Sequence, residues 1–149
     1  MNREILFRGK AKANGVWVYG YFVEGIDYFN DPISIIYPIN SRFDHRCVSD
    51  NYEGTTVDSK TIGQWTGRLD RNGKKVFEGD ILKIYYPWEE GWDEVAGYIK
   101  WNDECANYLI YESLDNDTVI YNDFSCYMEP KNYEVIGNIY DNPKSLRKE

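Results

Sequence analysis

One histidine and three cysteines in 149 residues leave little material for nucleophilic or metal chemistry. A Cys or Ser nucleophile needs a base within hydrogen-bond reach. The sole candidate, His45, sits beside Cys47 in a polar stretch that supplies no third, orienting group. His45, Cys47, Cys105 and Cys126 add up to four possible zinc ligands, but the paired close spacing that marks zinc sites is absent. No catalytic residue, metal or cofactor is expected, and the three thiols read as reduced and structural. Long apolar runs are missing too. The longest, residues 16–23 and 81–86, fall far short of the roughly 18 residues a spanning helix needs. Residues 1–12 mix charges with Ile5, Leu6 and Phe7 and lack the apolar centre of a signal peptide, so residence in a cytoplasm is expected.

What the chain has is apolar and aromatic mass: 42% hydrophobic residues and 17% aromatic, with 14 Tyr, 6 Phe and 5 Trp. That is enough buried surface to offset the entropy of folding, which excludes a disordered chain. The net charge of -8 is regional. Residues 1–88 hold 12 basic and 11 acidic side chains, residues 89–142 hold 2 and 13, and the last seven hold 3 and 1. A field of one sign repels DNA and anionic lipid and attracts basic partners. Neither direct nucleic-acid binding nor membrane binding is expected, because base stacking on aromatics relies on a basic groove. The carboxylate pairs Glu89-Glu90, Asp93-Glu94, Asp103-Glu104 and Asp115 with Asp117 fall in turn-like stretches and read as solvated loops.

Helical periodicity is almost absent, whereas short Tyr, Val, Ile and Trp runs bounded by Gly, Asn and Asp recur. The fold class is therefore mainly β, with an N-terminal β subdomain over residues 1–60, a second β region over 61–142 and a frayed tail over 143–149. In the first, residues 4–10 and 15–25 form strands joined by a two-residue Asn14-Gly15 hairpin turn of type I′. The second of these strands is apolar on both faces and is expected to be central or covered twice. Residues 34–39 form a third, with Pro38 at an edge or end. Residues 40–60 are the most loop-like, and Asp58 or Ser59 caps a single helical turn before Ile62. In the second region, residues 64–69 and 74–77 flank a strong hairpin signal, Asp70-Arg71-Asn72-Gly73. This is a turn and not a calcium loop, since Lys74 and Ile81 fall where ligands would be needed. Residues 81–86 form a strand with Leu82, Ile84 and Tyr86 on one face and Lys83 on the other, ended by Pro87. A loop over 88–93, strands over 95–101, 107–112 and 118–121, and a last strand over 133–140 complete it. Short strands at this spacing suggest a small SH3-like barrel.

Three segments resemble the YopX family of small phage and prophage proteins. They are Arg3 through Lys10 with Gly15-Val16-Trp17-Val18-Tyr19-Gly20; Ile62-Gly63-Gln64-Trp65-Thr66-Gly67 through Asp70-Arg71-Asn72-Gly73-Lys74 to Phe77-Glu78-Gly79-Asp80-Ile81-Leu82-Lys83; and Glu134 through Pro143. The family's usual Thr-Gly-Leu-Lys-Asp stands here as Thr66-Gly67-Arg68-Leu69-Asp70, which moves the apolar residue one place and would flip its face in a regular strand. Residues 27–60 and 102–130 show no family motif. The resemblance implies a mostly β protein with an SH3-like barrel in its second half, phage or prophage origin, a bacterial cytoplasm and self-association; it implies no catalytic residue. Gly63, Gly67, Asn72, Gly73, Gly79, Asp80 and Gly137 read as turn and close-packing positions. The functional expectation is a non-enzymatic, protein-binding accessory protein that forms homo-oligomers through aromatic surface. The alternative is an acidic nucleic-acid mimic, in which residues 89–142 occupy a basic, DNA-binding host protein.

Overall fold

A computed structural model of the chain describes residues 4–38, 54–88, 91–114, 119–121, 124 and 129–146. The chain is mainly β, with 3-10 turns at Ser59–Thr61, Pro130–Asn132 and Pro143–Leu146. It divides into two compact units, Met1–Gln64 and Trp65–Glu149.

In the first unit, β1 (Phe7–Lys10), β2 (Trp17–Ile26), β3 (Pro32–Pro38) and β4 (Thr55–Val57) form an antiparallel sheet in the order β4-β3-β2-β1. The first residues of β5 (Gly63–Leu69) close it by pairing with β1, Phe7 opposite Gln64 and Arg8 opposite Gly63. Period-2 alternation gathers Phe7, Gly9, Phe22, Ile36 and Val57 on one face, where Ile36 and Val57 are fully buried and the Phe7 and Phe22 rings lie 5.5 Å apart. Pro32 and Pro38 are the first and last residues of β3, where a missing N–H costs least. Asp58 caps the 3-10 turn, its carboxylate accepting from Lys60 N–H, as the sequence predicts.

Of two expectations for β2, one changes and the other holds in its first alternative. The β1–β2 loop spans residues 12–15, not two: Ala11 N–H donates to Val16 O (2.9 Å) and Gly15 N–H to Ala11 O (2.8 Å). Gly15 has φ +70°, while Asn14 contributes its side chain, accepting from Val16 N–H (3.0 Å). A type I′ turn would need positive φ at both residues. β2 is central, the first of the two expected alternatives, and not covered on both faces. It is interior to the sheet, between β1 and β3, but Tyr19, Tyr21 and Val23 on one face are exposed.

In the second unit the rest of β5 pairs with β6 (Lys75–Phe77), and β7 (Asp80–Trp88), β8 (Gly91–Asn102), β9 (Asn107–Tyr111), β10 (Val119–Tyr121) and β11 (Tyr133–Asn138) form a five-stranded antiparallel sheet, order β10-β9-β8-β7-β11. Alternation builds apolar layers on both of its faces. Leu82, Ile84, Ile99, Ile110 and Tyr133 pack with Val76 and Phe124, and Ile81, Tyr98, Leu109 and Tyr111 pack with Leu146. Leu82 and Ile84 share a face opposite Lys83, as expected; the side chain of Tyr86 lies outside the described residues, as does the turn at Asp115-Asn116-Asp117. The five-stranded antiparallel sheet is compatible with a small barrel.

Pro87 does not end its strand. β7 runs on to Trp88 and β8 starts at Gly91, with Pro87 opposite Trp92 and Trp88 opposite Gly91, so most of the expected loop over 88–93 is a long hairpin. β11 pairs with β7 only as far as Ile84. Beyond it no described strand pairs with that side of β7, and proline is tolerated at such an edge.

Candidate functional site

The most exposed apolar side chains of the first unit gather on the β2–β3 hairpin, and local turn chemistry explains why they stay outside. The strands pair from Gly20 opposite Pro38 to Ile26 opposite Pro32 without a register shift. Asp27 then organises the loop. Its N–H donates to Asp31 O (2.8 Å), its carbonyl accepts from Asn30 N–H (3.0 Å), and its Oδ1 accepts from Phe29 N–H (2.8 Å) and Asp31 N–H (2.9 Å). Asn30 takes the left-handed conformation, φ +69°, that asparagine tolerates. The chain reverses so tightly that, among the described residues, Tyr28 and Phe29 pack on each other. They are 97% and 81% exposed, with edge-to-face rings 5.6 Å apart. Sequence reasoning passed over this turn, although Asp27 and Asn30 flanking an aromatic pair carry its signal.

The root of the same sheet is cationic. Arg8 and Lys10 pair with Tyr19 and Trp17 across β1–β2, and the Arg8 guanidinium and Lys10 ammonium lie 4.7 and 5.7 Å from the centre of the Trp17 ring. Both distances are within cation–π range. From Tyr21 onward β1 no longer accompanies β2, since its last pair is Phe7 with Gly20. Alternate residues of an antiparallel strand aim N–H and C=O at the same neighbour. The Val16 carbonyl points at β1 and the Asp27 N–H at β3, so the even residues face the β1 side. Phe22, Glu24 and Ile26 thus aim their backbone groups at an edge where, among the described residues, no strand pairs with them.

The predicted turn positions lie elsewhere, each engaged in local geometry. Gly63 is buried in β5 opposite Arg8. Gly67 has φ +85° within a register shift between Trp65 and Leu69. Asn72 N–H donates to Asp70 Oδ1 (2.8 Å), and Gly73 has φ +78°. Gly79, φ +83°, donates N–H to Ile99 O (2.8 Å) and accepts at its carbonyl from Ile139 N–H (2.9 Å). Asp80 is buried and its Oδ2 accepts from Phe77 N–H (2.8 Å). At Gly137 a Cβ would lie 2.6 Å from Asn142 Oδ1. No group of three or more His, Cys, Asp or Glu among the described residues could hold a metal. His45, Cys47 and Cys126 lie outside them, and Cys105 is exposed and free.

Residues 6–147 match the family model described as YopX protein. The chain belongs to the YopX family. The match runs through residues 27–60 and 102–130, where no motif was legible. This YopX-family chain is also similar in fold to the crystal structure of protein EF1440 from Enterococcus faecalis, at 20% identity and TM-score 0.50, with 98% of this chain and 100% of that chain covered. No curated protein matches it. No helix among the described residues is long and apolar enough to cross a membrane.

The acidic second unit of this YopX-family chain carries one polar cluster. Tyr85 OH donates to Glu134 Oε1 (2.7 Å), the Arg71 guanidinium sits 4.7 Å from the Tyr85 ring centre, and Lys83 pairs with Glu94 (2.6 Å). Burial, then the bond to Glu134, pushes the Tyr85 phenol above its ordinary pKa, and the bond to Glu94 holds the Lys83 amine above its own. These groups neutralise one another, which makes the cluster a structural tie.

Proposed function

We propose that this is a phage- or prophage-encoded, non-enzymatic accessory protein of the bacterial cytoplasm that works by binding proteins and associates with copies of itself. The observation that carries the reading is the display of Tyr28 and Phe29 at 97% and 81% exposure. Aromatic side chains offer roughly 150–250 Å² each and dominate the centres of protein interfaces. Charge favours one arrangement between copies. The hairpin tip carries Glu24, Asp27 and Asp31, whereas the root end presents the exposed Lys12 beside the half-buried Lys10, with Arg8 buried beneath. Tip-to-root contact is therefore complementary and tip-to-tip contact is not. Such head-to-tail contacts generate rings or filaments.

Sedimentation velocity of the wild type and the double variant Tyr28→Ser/Phe29→Ser tests this. The wild type is expected to associate with rising concentration and the variant to stay monomeric with an unchanged circular dichroism spectrum. A wild type that remains monomeric at high concentration removes self-association from the reading. A second reading, the acidic nucleic-acid mimic, is favoured by the exposure of Glu94, Asp103, Glu104 and Asp141 in the acidic stretch. It predicts salt-sensitive capture of a DNA-binding host protein, and capture only of neutral or acidic proteins counts against it.

A further inference from the structure

We infer that the open edge of β2 at Phe22–Ile26 is a docking site for an extended, lysine- or arginine-bearing strand of a partner protein. This inference deepens the protein-binding reading and does not depend on self-association.

The edge has hydrogen-bonding capacity to offer. Three residues, Phe22, Glu24 and Ile26, direct N–H and C=O groups away from β3 into a space where no described strand pairs with them, and they do so in a segment rich in strand-forming residues. Main-chain bonds to such an edge give affinity to an added strand, while alternate side chains give specificity. Natural sheets normally blunt an open edge with lysine, proline, a bulge or an inward charge, because it recruits other chains. Over residues 20–26 there is no lysine and no proline, and the register with β3 is unbroken. Where the strand leaves β1 behind, the described residues supply no lysine, proline or bulge, and Glu24 is the one charge on the edge.

Charge identifies the occupant. From residue 13 to residue 41 the chain has no Lys or Arg, yet it carries Glu24, Asp27 and Asp31. An anionic vesicle or a nucleic acid would be repelled. A second copy pairing through the same edge about Glu24 would set Glu24 against Glu24, and like charges across a strand pair are destabilising. A strand with cations at alternate positions is attracted, and the exposed Tyr28–Phe29 pair at the end of the ribbon supplies apolar surface for its intervening residues.

The test uses the full chain and a synthetic peptide that alternates valine with lysine, followed by fluorescence anisotropy and amide hydrogen exchange. The lysine peptide is expected to bind and to slow exchange at Glu24 and Ile26 by about tenfold or more, while the glutamate counterpart does not bind. Glu24→Gln is expected to weaken binding roughly two- to fivefold, the effect of one rim charge. Glu24→Pro removes an outward donor without touching a β2–β3 bond and is expected to abolish binding. A lysine peptide N-methylated at alternate residues asks the same question of the unaltered protein and should also fail. Binding that survives backbone methylation, equal binding of the glutamate peptide, or no binding of the lysine peptide overturns the inference. So does edge protection that appears with protein concentration alone. Tyr28→Ser/Phe29→Ser abolishes self-association in the reading above but leaves the edge amides in place, so the two proposals fail separately.

Discussion

Asp70 is 3% exposed and ties two distant segments together. Its Oδ1 accepts from Asn72 and Lys74 N–H (2.8 Å each) and its Oδ2 from Val135 N–H (3.0 Å), 65 residues away in β11. Burial alone would raise the pKa of this carboxyl, but the bonds from Val135, Lys74 and Asn72 outweigh it and hold the pKa below the ordinary aspartate value. A depressed folded-state pKa contributes stability that is fully present above the unfolded value near 3.9 and is lost as pH falls through the lower folded value. Asp70→Asn keeps one acceptor and turns an NH₂ donor toward a backbone N–H. It is expected to cost about 1–3 kcal/mol at neutral pH in urea denaturation. It should also flatten the loss of stability expected of the wild type below about pH 4; a variant with the same acid slope as the wild type would mean that another carboxylate sets it.

At the scale of elements, phase is adjusted by local defects. Leu69 stands where a regular strand would reverse its face, and β5 absorbs the change between Trp65, opposite Phe77, and Leu69, opposite Lys75. Gly67 at φ +85° makes the bulge possible, and Trp65 Nε1–H closes it onto Arg68 O (3.0 Å). Leu69 ends up 43% exposed while Val76 across the hairpin is buried. The β2–β3 loop depends on one side chain in the same way. Asp27→Ala leaves Phe29 and Asp31 N–H without their acceptor; because both can turn to water, the expected cost is only about 1 kcal/mol. The sharper consequence is local. Amide exchange across residues 28–31 should rise and self-association should weaken, since Tyr28 and Phe29 are no longer held in one geometry. Unchanged exchange there would show that Asn30 and the strand register hold the loop without Asp27.

Over the whole molecule, stability and display fall to different parts of the chain. The two-sided core of the second unit centres on the fully buried Ile81, Leu82, Ile99 and Ile110. Ile110→Ala removes a side chain that packs with Ile99 and Phe124 and is expected to cost 2–5 kcal/mol in thermal or urea unfolding. A cost under 1 kcal/mol would mean that the layer closes over the void. The net charge divides along the same line, with 13 of the 25 acidic residues in residues 89–142 and only two basic ones beside them. The first unit displays aromatics instead, on a ribbon whose tip is acidic and whose root is basic.

The sequence by itself determined the β character, the hairpin at Asp70-Arg71-Asn72-Gly73, a capped helical turn starting at Asp58 or Ser59, the faces of Leu82 and Ile84, and the family. Period-2 alternation and turn chemistry lie in residues a few places apart, so a linear reading reaches them. Only the tertiary structure decided that β2 has β1 beside it as far as Gly20, that Pro87 lies in a strand past the reach of β11, and that Asp70 holds Val135. Each of these turns on which distant strand stops where, and that is set by packing among residues tens of positions apart. An apolar residue such as Tyr21 or Val23 reads as core in the sequence; whether it is buried or displayed depends on a neighbour the local pattern does not name.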